Sequence, residues 1–124
     1  MSVVLTVVRN VRLDSEQYVT SSVDYDGESG EKVSAIIPAL SNDHAVVFGG
    51  FDPASLKAIW FTADVACTIG FVSGTGVVDV TLAAGGVLLW TDTDGVACPF
   101  DEVITSLTVT CTLLCTITGR LVQA

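Results

Sequence analysis

Residues 107–121 read LTVTCTLLCTITGRL and carry the clearest pattern in the chain. Apolar residues hold almost every odd position, while threonine holds most of the even ones. An alternation of period two predicts a β-strand with one apolar face and one polar face. A single straight strand of this length would span about 50 Å, which exceeds the width of such a domain, so we expect a bend or turn near residues 111–114.

The same alternation continues upstream, and Val, Thr and Ile supply 40 of the 124 residues. No window sustains the spacing of an amphipathic helix, although Asp52-Pro53 predicts one helical turn. Turns are expected at residues 26–30, 41–43, 73–76 and 83–86, where Gly, Asn, Asp and Ser collect. The predicted strands cover residues 2–13, 17–25, 32–37, 45–48, 57–62, 65–72, 77–82 and 87–91.

Closely spaced strands with glycine-rich turns predict an all-β fold. With no helix to cover a sheet face, two sheets must pack on each other, so we predict a two-sheet antiparallel sandwich of the jelly-roll type. The length of 124 residues allows one domain, residues 1–124. Within it we expect residues 1–31 to form an attachment arm and hairpin.

Composition narrows the classes of partner. The formal net charge of −9 leaves no basic stripe for a nucleic acid or for an anionic membrane, so neither is expected as a partner. No stretch reads as a signal peptide or as a membrane-spanning helix. The apolar share exceeds what a small monomer can bury, which favours self-association as a dimer or trimer.

The N-terminal segment concentrates opposite charges. Arg9 and Arg12 are two of only five basic residues, and residues 14–31 hold six acids and no base. Because positive and negative charges are separated along this segment, a partner can recognise both, which favours an attachment role for the segment. The alternative is an ordinary first strand with two solvated arginines.

No catalytic or metal-binding pattern stands out. The single histidine, His44, follows Ser41-Asn42-Asp43 in an expected surface turn. The sequence contains no GxSxG-like nucleophile motif with which this histidine could form a catalytic triad. Asp92 and Asp94 resemble half of a calcium loop, but the second half is missing, so calcium binding there stays open. We therefore expect no enzyme activity, no cofactor and no metal.

The four cysteines, Cys67, Cys98, Cys111 and Cys115, are interpreted as free, buried thiols, because nothing indicates an oxidising compartment. The spacing of Cys111 and Cys115 predicts both sulfurs on one face of a strand. A cross-link between chains stays open.

Trp60 and Phe61 are neighbours and must point to opposite faces of a strand. One of the two must lie in an interface or under a loop. The interface candidates are accordingly Arg9, Arg12, Trp60 and Phe61.

From Leu56 onward, short apolar segments and turns follow one another in a characteristic order. It runs LKAIWF at 56–61, a strand at 65–72, DVTLAAG at 79–85, LLW at 88–90, CPF at 98–100 and EVITSLTVT at 102–110. This order resembles small β-rich cement or decoration proteins from the heads of tailed bacteriophages. The resemblance implies a virion protein that assembles in the host cytoplasm, binds the major capsid protein on the capsid exterior and cements or decorates neighbouring capsomers.

Two other functions remain open at this stage. A carbohydrate- or receptor-binding sandwich of a head fibre or tail spike would use outward-facing aromatics and the Asp92/Asp94 loop. A small hydrolase of the jelly-roll type would need metal-binding histidines that this sequence does not contain.

Overall fold

The computed structural model describes the backbone of residues 3–13 and 16–124, and the side chains of residues 3–9 and 22–124. Strands account for 65% of the chain, which confirms the all-β prediction. One 3-10 turn, Pro53–Ser55, forms where Asp52-Pro53 predicted it, with the Asp52 carboxylate accepting a hydrogen bond from the Ala54 amide. The strands are β1 (Val3–Leu13), β2 (Glu16–Gly27), β3 (Ser29–Ile37), β4 (Ser41–Val46), β5 (Leu56–Ala63), β6 (Cys67–Ser73), β7 (Val77–Leu82), β8 (Val87–Thr91), β9 (Ile104–Cys111) and β10 (Cys115–Gln123).

The strands form three antiparallel sheets. Sheet I has the order β3-β10-β5-β8 and sheet II has the order β4-β9-β6-β7. These two sheets pack face to face as the predicted sandwich. Strands β1 and β2 pair only with each other, from Val3↔Gly27 to Leu13↔Glu16, and form a separate hairpin.

The core between the sheets is built around phenylalanine rings. Phe61 of sheet I meets Phe71 of sheet II edge to face, with ring centroids 5.5 Å apart. The loops add two more rings, because Phe100 lies 4.7 Å from Phe71 and Phe51 lies 5.1 Å from Phe100. Edge-on pairs of this kind contribute roughly 0.5–1.5 kcal/mol beyond the burial of their area.

Gly119 makes room for this cluster. It faces inward from β10, where an added Cβ would clash with the Phe61 ring, lying 2.6 Å from Cδ1 and 2.7 Å from Cζ. The apparent gap in the apolar alternation of residues 107–121 is therefore the site where the largest core side chain of the neighbouring strand fits.

The predicted break in residues 107–121 is confirmed, because β9 ends at Cys111 and β10 begins at Cys115. The prediction that both sulfurs share one face of a strand is wrong, since Cys111 belongs to sheet II and Cys115 to sheet I. The turn between the two strands also places Leu113 in solvent although it follows the apolar parity.

Another local prediction is wrong. Residues 41–43 belong to β4 and do not form a turn, because the strand accommodates them with a bulge in which Asp43 adopts a positive φ of 51°. His44 is consequently a strand residue, opposite Val109. The break expected at residues 26–30 is present but consists of a single residue, Glu28, between β2 and β3.

We expect Gly119→Ala to destabilise the fold by about 1–3 kcal/mol, because the added methyl must displace the Phe61 ring in a packed core. Urea unfolding followed by circular dichroism measures this change. Gly74→Ala is the matched control, because an added Cβ there meets nothing within 4 Å and should alter the free energy of unfolding by less than about 0.5 kcal/mol. Equal effects at the two positions would contradict this account of the core.

Candidate functional site

The two ends of the sandwich differ in chemistry. One end, called the apolar end, is formed by the loops at residues 38–40, 64–66, 83–86 and 112–114. These thirteen residues include a single charged side chain, Asp64, whose carboxylate accepts a hydrogen bond from the Thr116 amide at 2.8 Å. The only charge of this end is therefore committed to holding its own loop.

Large apolar side chains project from the apolar end into water. Leu40 is 82% exposed, Leu113 63% and Leu114 61%, and Ile36 on the adjoining stretch of β3 is 70% exposed. The Leu40 amide donates to the Thr112 carbonyl at 3.0 Å, so the two leucine-bearing loops are neighbours. Contiguous exposed apolar residues of this size mark protein interaction sites.

The opposite end, called the acidic end, is formed by Glu28 and the loops at residues 47–55, 74–76 and 92–103. The aromatic residues Phe51 and Phe100 of these loops turn into the core, whereas the acids and the three valines Val47, Val96 and Val103 are exposed. Lys and Arg are missing from these loops. Their six acids are Glu28, Asp52, Asp92, Asp94, Asp101 and Glu102.

The hairpin covers the outer face of sheet I at the acidic end. Val122, Ala58 and Thr91 form one row across β10, β5 and β8, and all three are buried although they point away from the core. Gly27 of β2 lies directly on this row, since an added Cβ would approach Val122 Cγ1 to 2.5 Å. The hairpin therefore shields an apolar row that would otherwise face solvent.

The next row along sheet I is only partly covered. Arg120, Trp60 and Leu89 lie side by side across the same three strands and are half-buried. Leu5 and Val7 of β1 line a groove with them. Beyond this row, Thr118, Thr62 and Val87 lie open to solvent or half-open, so cover decreases toward the apolar end.

An ion pair fastens the hairpin to the acidic end. Arg9 Nη1 and Nη2 donate to Asp94 Oδ1 and Oδ2, each at 2.7 Å, in a bidentate arrangement. Beside it, the hydroxyls of Tyr25 and Thr93 hydrogen-bond at 2.7 Å. Hydrogen bonding to Arg9 lowers the pKa of Asp94 to about 2, so this carboxylate is charged across the physiological range.

The four interface candidates fall in different places. Arg9 contacts Asp94, and Trp60 lies in the half-covered row. Phe61 is fully buried between the sheets and has no surface to offer a partner. The side chain of Arg12 lies outside the described residues, although its backbone pairs with Gln17 in the hairpin.

A local signal for the covered face exists in the sequence. Ile59-Trp60-Phe61 and Leu121-Val122 place apolar residues on both parities of β5 and β10. Strands that are buried on both faces read as continuous apolar runs instead of alternating ones. That signal predicts a covering element but does not tell which segment supplies it.

The loop at residues 91–95, which contains the candidate calcium ligands Asp92 and Asp94, binds the hairpin. We call this loop the Asp94 socket. Both oxygens of Asp94 bind Arg9, and Asp92 is exposed. His44 is exposed on β4. The described part of the chain brings together no group of three His, Cys, Asp or Glu side chains suited to hold a metal ion.

Three of the four thiols collect in the core. Cys67 is directly opposite Cys111 across β6 and β9, and Cys115 approaches from sheet I. Burial, followed by the neighbouring Cys115 thiol, raises the pKa of Cys67 to about 12. Burial also raises the pKa of Cys115. The four cysteines are unpaired in the structure, and a thiol count in solution remains the test of that prediction.

Every aromatic side chain among residues 3–9 and 22–124 is buried or half-buried. Trp90 is half-buried, and its indole Nε1 donates to the Val96 carbonyl at 2.8 Å. Among residues 3–13 and 16–124, none belongs to a helix long and apolar enough to cross a membrane. Comparison with protein-family models, curated proteins and solved structures finds no match.

We expect the hairpin contact to persist from pH 7 to about pH 4 and to weaken as the pH falls toward 2. The pKa of Asp94 is lowered from its ordinary 3.8 to about 2 by Arg9, so docking is favoured above that range and loses this support when the carboxylate is protonated. Tryptophan emission of the folded protein, which includes Trp60 beside β1, measures the change. Asp94→Asn is the control, in which this acid step should be missing; an identical step in both proteins would contradict the assignment.

We also expect one cysteine to react quickly at pH 8. Cys98 is half-buried, whereas Cys67, Cys111 and Cys115 are buried, and a raised pKa keeps the Cys67 thiol protonated. A chromogenic disulfide reagent should label the other three at least about a hundredfold more slowly than Cys98 until denaturant is added. Cys98→Ser should remove the fast phase, and a fast phase that survives this substitution would refute the packing described here.

Proposed function

We propose that this protein is a structural virion protein that binds the exterior of an assembled phage capsid, where it cements or decorates neighbouring capsomers. The observation that carries the proposal is the difference between the two ends of the sandwich. The apolar end presents four large exposed apolar side chains and a single charge, Asp64, which is hydrogen-bonded to a backbone amide, whereas the acidic end presents six acids beside three exposed valines, Val47, Val96 and Val103. A module with this polarity binds another protein surface at one end and faces water at the other.

The apolar end supplies the attachment energy in this proposal. Binding removes water from the four exposed apolar side chains and breaks none of their hydrogen bonds, since they have none. These side chains belong to Ile36, Leu40, Leu113 and Leu114. Each contributes roughly 1.5–3 kcal/mol if it becomes fully buried, before the costs of association are subtracted. The partner is the major capsid protein, and its complementary surface should be an apolar depression in the assembled shell.

The acidic end accounts for orientation and spacing. With a net charge of −9, neighbouring copies repel one another wherever they are not paired through specific contacts. Acids placed away from the attachment surface keep bound copies soluble and directed outward. They also disfavour attachment by the wrong end.

The strand order supports classing the sandwich as jelly-roll-like. Numbered from β3, the eight sandwich strands have the order 1-8-3-6 in sheet I and 2-7-4-5 in sheet II, so the first and last strands are neighbours. Double-sheet jelly rolls of eight strands are common in viral shell proteins. The proposal also rests on the order of segments from Leu56 onward, which resembles that of phage decoration proteins.

We expect Leu113→Glu to reduce binding to purified capsids at least tenfold, because the new carboxylate must lose its water at the buried centre of the contact. Co-sedimentation with capsids measures occupancy. Val96→Glu is the matched control, since Val96 is 65% exposed in a loop of the acidic end and gains the same charge. It should bind like the unmodified protein.

Equal loss in both variants, or equal binding in both, would overturn the assignment of the apolar end. Binding of the isolated protein to glycans, with no binding to capsids, would instead favour the carbohydrate-binding alternative. The protein should bind assembled shells but not free major capsid protein, because a cement protein spans neighbouring capsomers.

A further inference from the structure

The β1–β2 hairpin is attached to the sandwich in an unusual way. Over the described backbone it shares no strand pairing with sheet I or sheet II, and only Glu28 separates β2 from β3. Side-chain contacts hold it in place, chiefly the Arg9–Asp94 ion pair, the Tyr25–Thr93 hydrogen bond and the covered row of sheet I. The hairpin can therefore leave the sheet without breaking a single ladder hydrogen bond of the sandwich.

The Arg9–Asp94 ion pair and the Tyr25–Thr93 hydrogen bond join side chains that no strand pairing links, so the same contacts could form between two chains. We propose that the hairpin is an exchange arm, which docks on the outer face of sheet I of a second copy of this protein. The occupant of the Asp94 socket is then Arg9 of the neighbouring chain, and Tyr25 of that chain meets Thr93. Exchange of an identical element is a low-cost route to oligomers, because the interface already exists within the monomer.

Charge complementarity favours this occupant. All five Lys and Arg residues lie in the hairpin or in sheet I, and the strands of sheet II contain neither. The hairpin thus carries Arg9 toward a loop that holds Asp92 and Asp94, in an end that has six acids. Two copies with a net charge of −9 each repel one another, and the bidentate pair offsets part of that repulsion where the arm docks.

The short connection favours exchange over repeated undocking in place. Gly27 and Gly30 on either side of it are in close contact with β10, because an added Cβ at Gly30 would lie 2.8 Å from the Leu121 carbonyl oxygen. A one-residue hinge restricts how β2 can fold back on its own chain, and short hinges favour domain swapping, in which the arm extends to a neighbour. A shell that holds copies side by side raises their effective concentration and favours docking in trans.

Two charge-reversal variants test the proposal. Arg9→Glu alone and Asp94→Arg alone each place like charges at the contact, whether it forms within one chain or between two. When the two variants are mixed, an exchanged pair regains opposite charges at both of its contacts, and it does so only between chains. At one contact the introduced glutamate of the first variant meets the introduced arginine of the second, and at the other contact the retained Arg9 meets the retained Asp94. A tag on one variant and sedimentation of the mixture measure the mixed complex.

We expect the mixed complex to form at least tenfold more tightly than either variant associates with itself. The double variant, Arg9→Glu with Asp94→Arg, should self-associate like the unmodified protein and shows that the reversed pair still folds. A mixture no tighter than its components would show that the hairpin docks only on its own chain, which overturns the proposal. So would single variants that self-associate as well as the unmodified protein.

The test needs no capsid, so failure of arm exchange and failure of capsid attachment are separately visible. Circular dichroism of each variant verifies that the sandwich is intact, since both positions are at the surface.

Discussion

The two sheets are joined where the ring of Phe61 meets the ring of Phe71. Phe61 can occupy this position because Gly119 on the adjacent strand has no side chain. Ile59 and Phe61 of β5 point into the core. Because side chains alternate along a strand, Ala58 and Trp60 lie on the opposite face of the sheet. That second apolar face cannot be left in water, so the same strand that builds the core also creates the need for the covering hairpin.

Much of the architecture was predictable because it depends on local patterns. Period-two alternation located β7 and β8 to the residue, and strand geometry required the turn between Cys111 and Cys115. The bulge at Asp43 was not predictable, because its residue types are also those of a turn and pairing with β9 decides between them. The alternation of side chains likewise could not show that Cys111 and Cys115 lie in different sheets, because the alternation does not continue through the turn between them.

The candidate site was harder to predict than the fold. The rarity of Arg9 in an acidic chain identifies it, but the sequence suggests Asp94 only for calcium or carbohydrate binding, because a pairing across 85 residues leaves no local trace. The apolar end was missed because its leucines belong to separate loops, which only the topology brings together. Conversely, Phe61 was proposed for an interface because sequence cannot tell which of two adjacent aromatics enters the core.

The order of the segments along the chain has a consequence for biosynthesis. The strands β1 and β2 are synthesised before the surface that receives them, which includes Asp94 and is completed only by Val122. During elongation the nascent hairpin thus has no place to dock on its own chain. The exchange proposed above would give it a binding surface in sheet I of a copy whose synthesis has already passed Val122, so such an assembly would begin on a nascent chain.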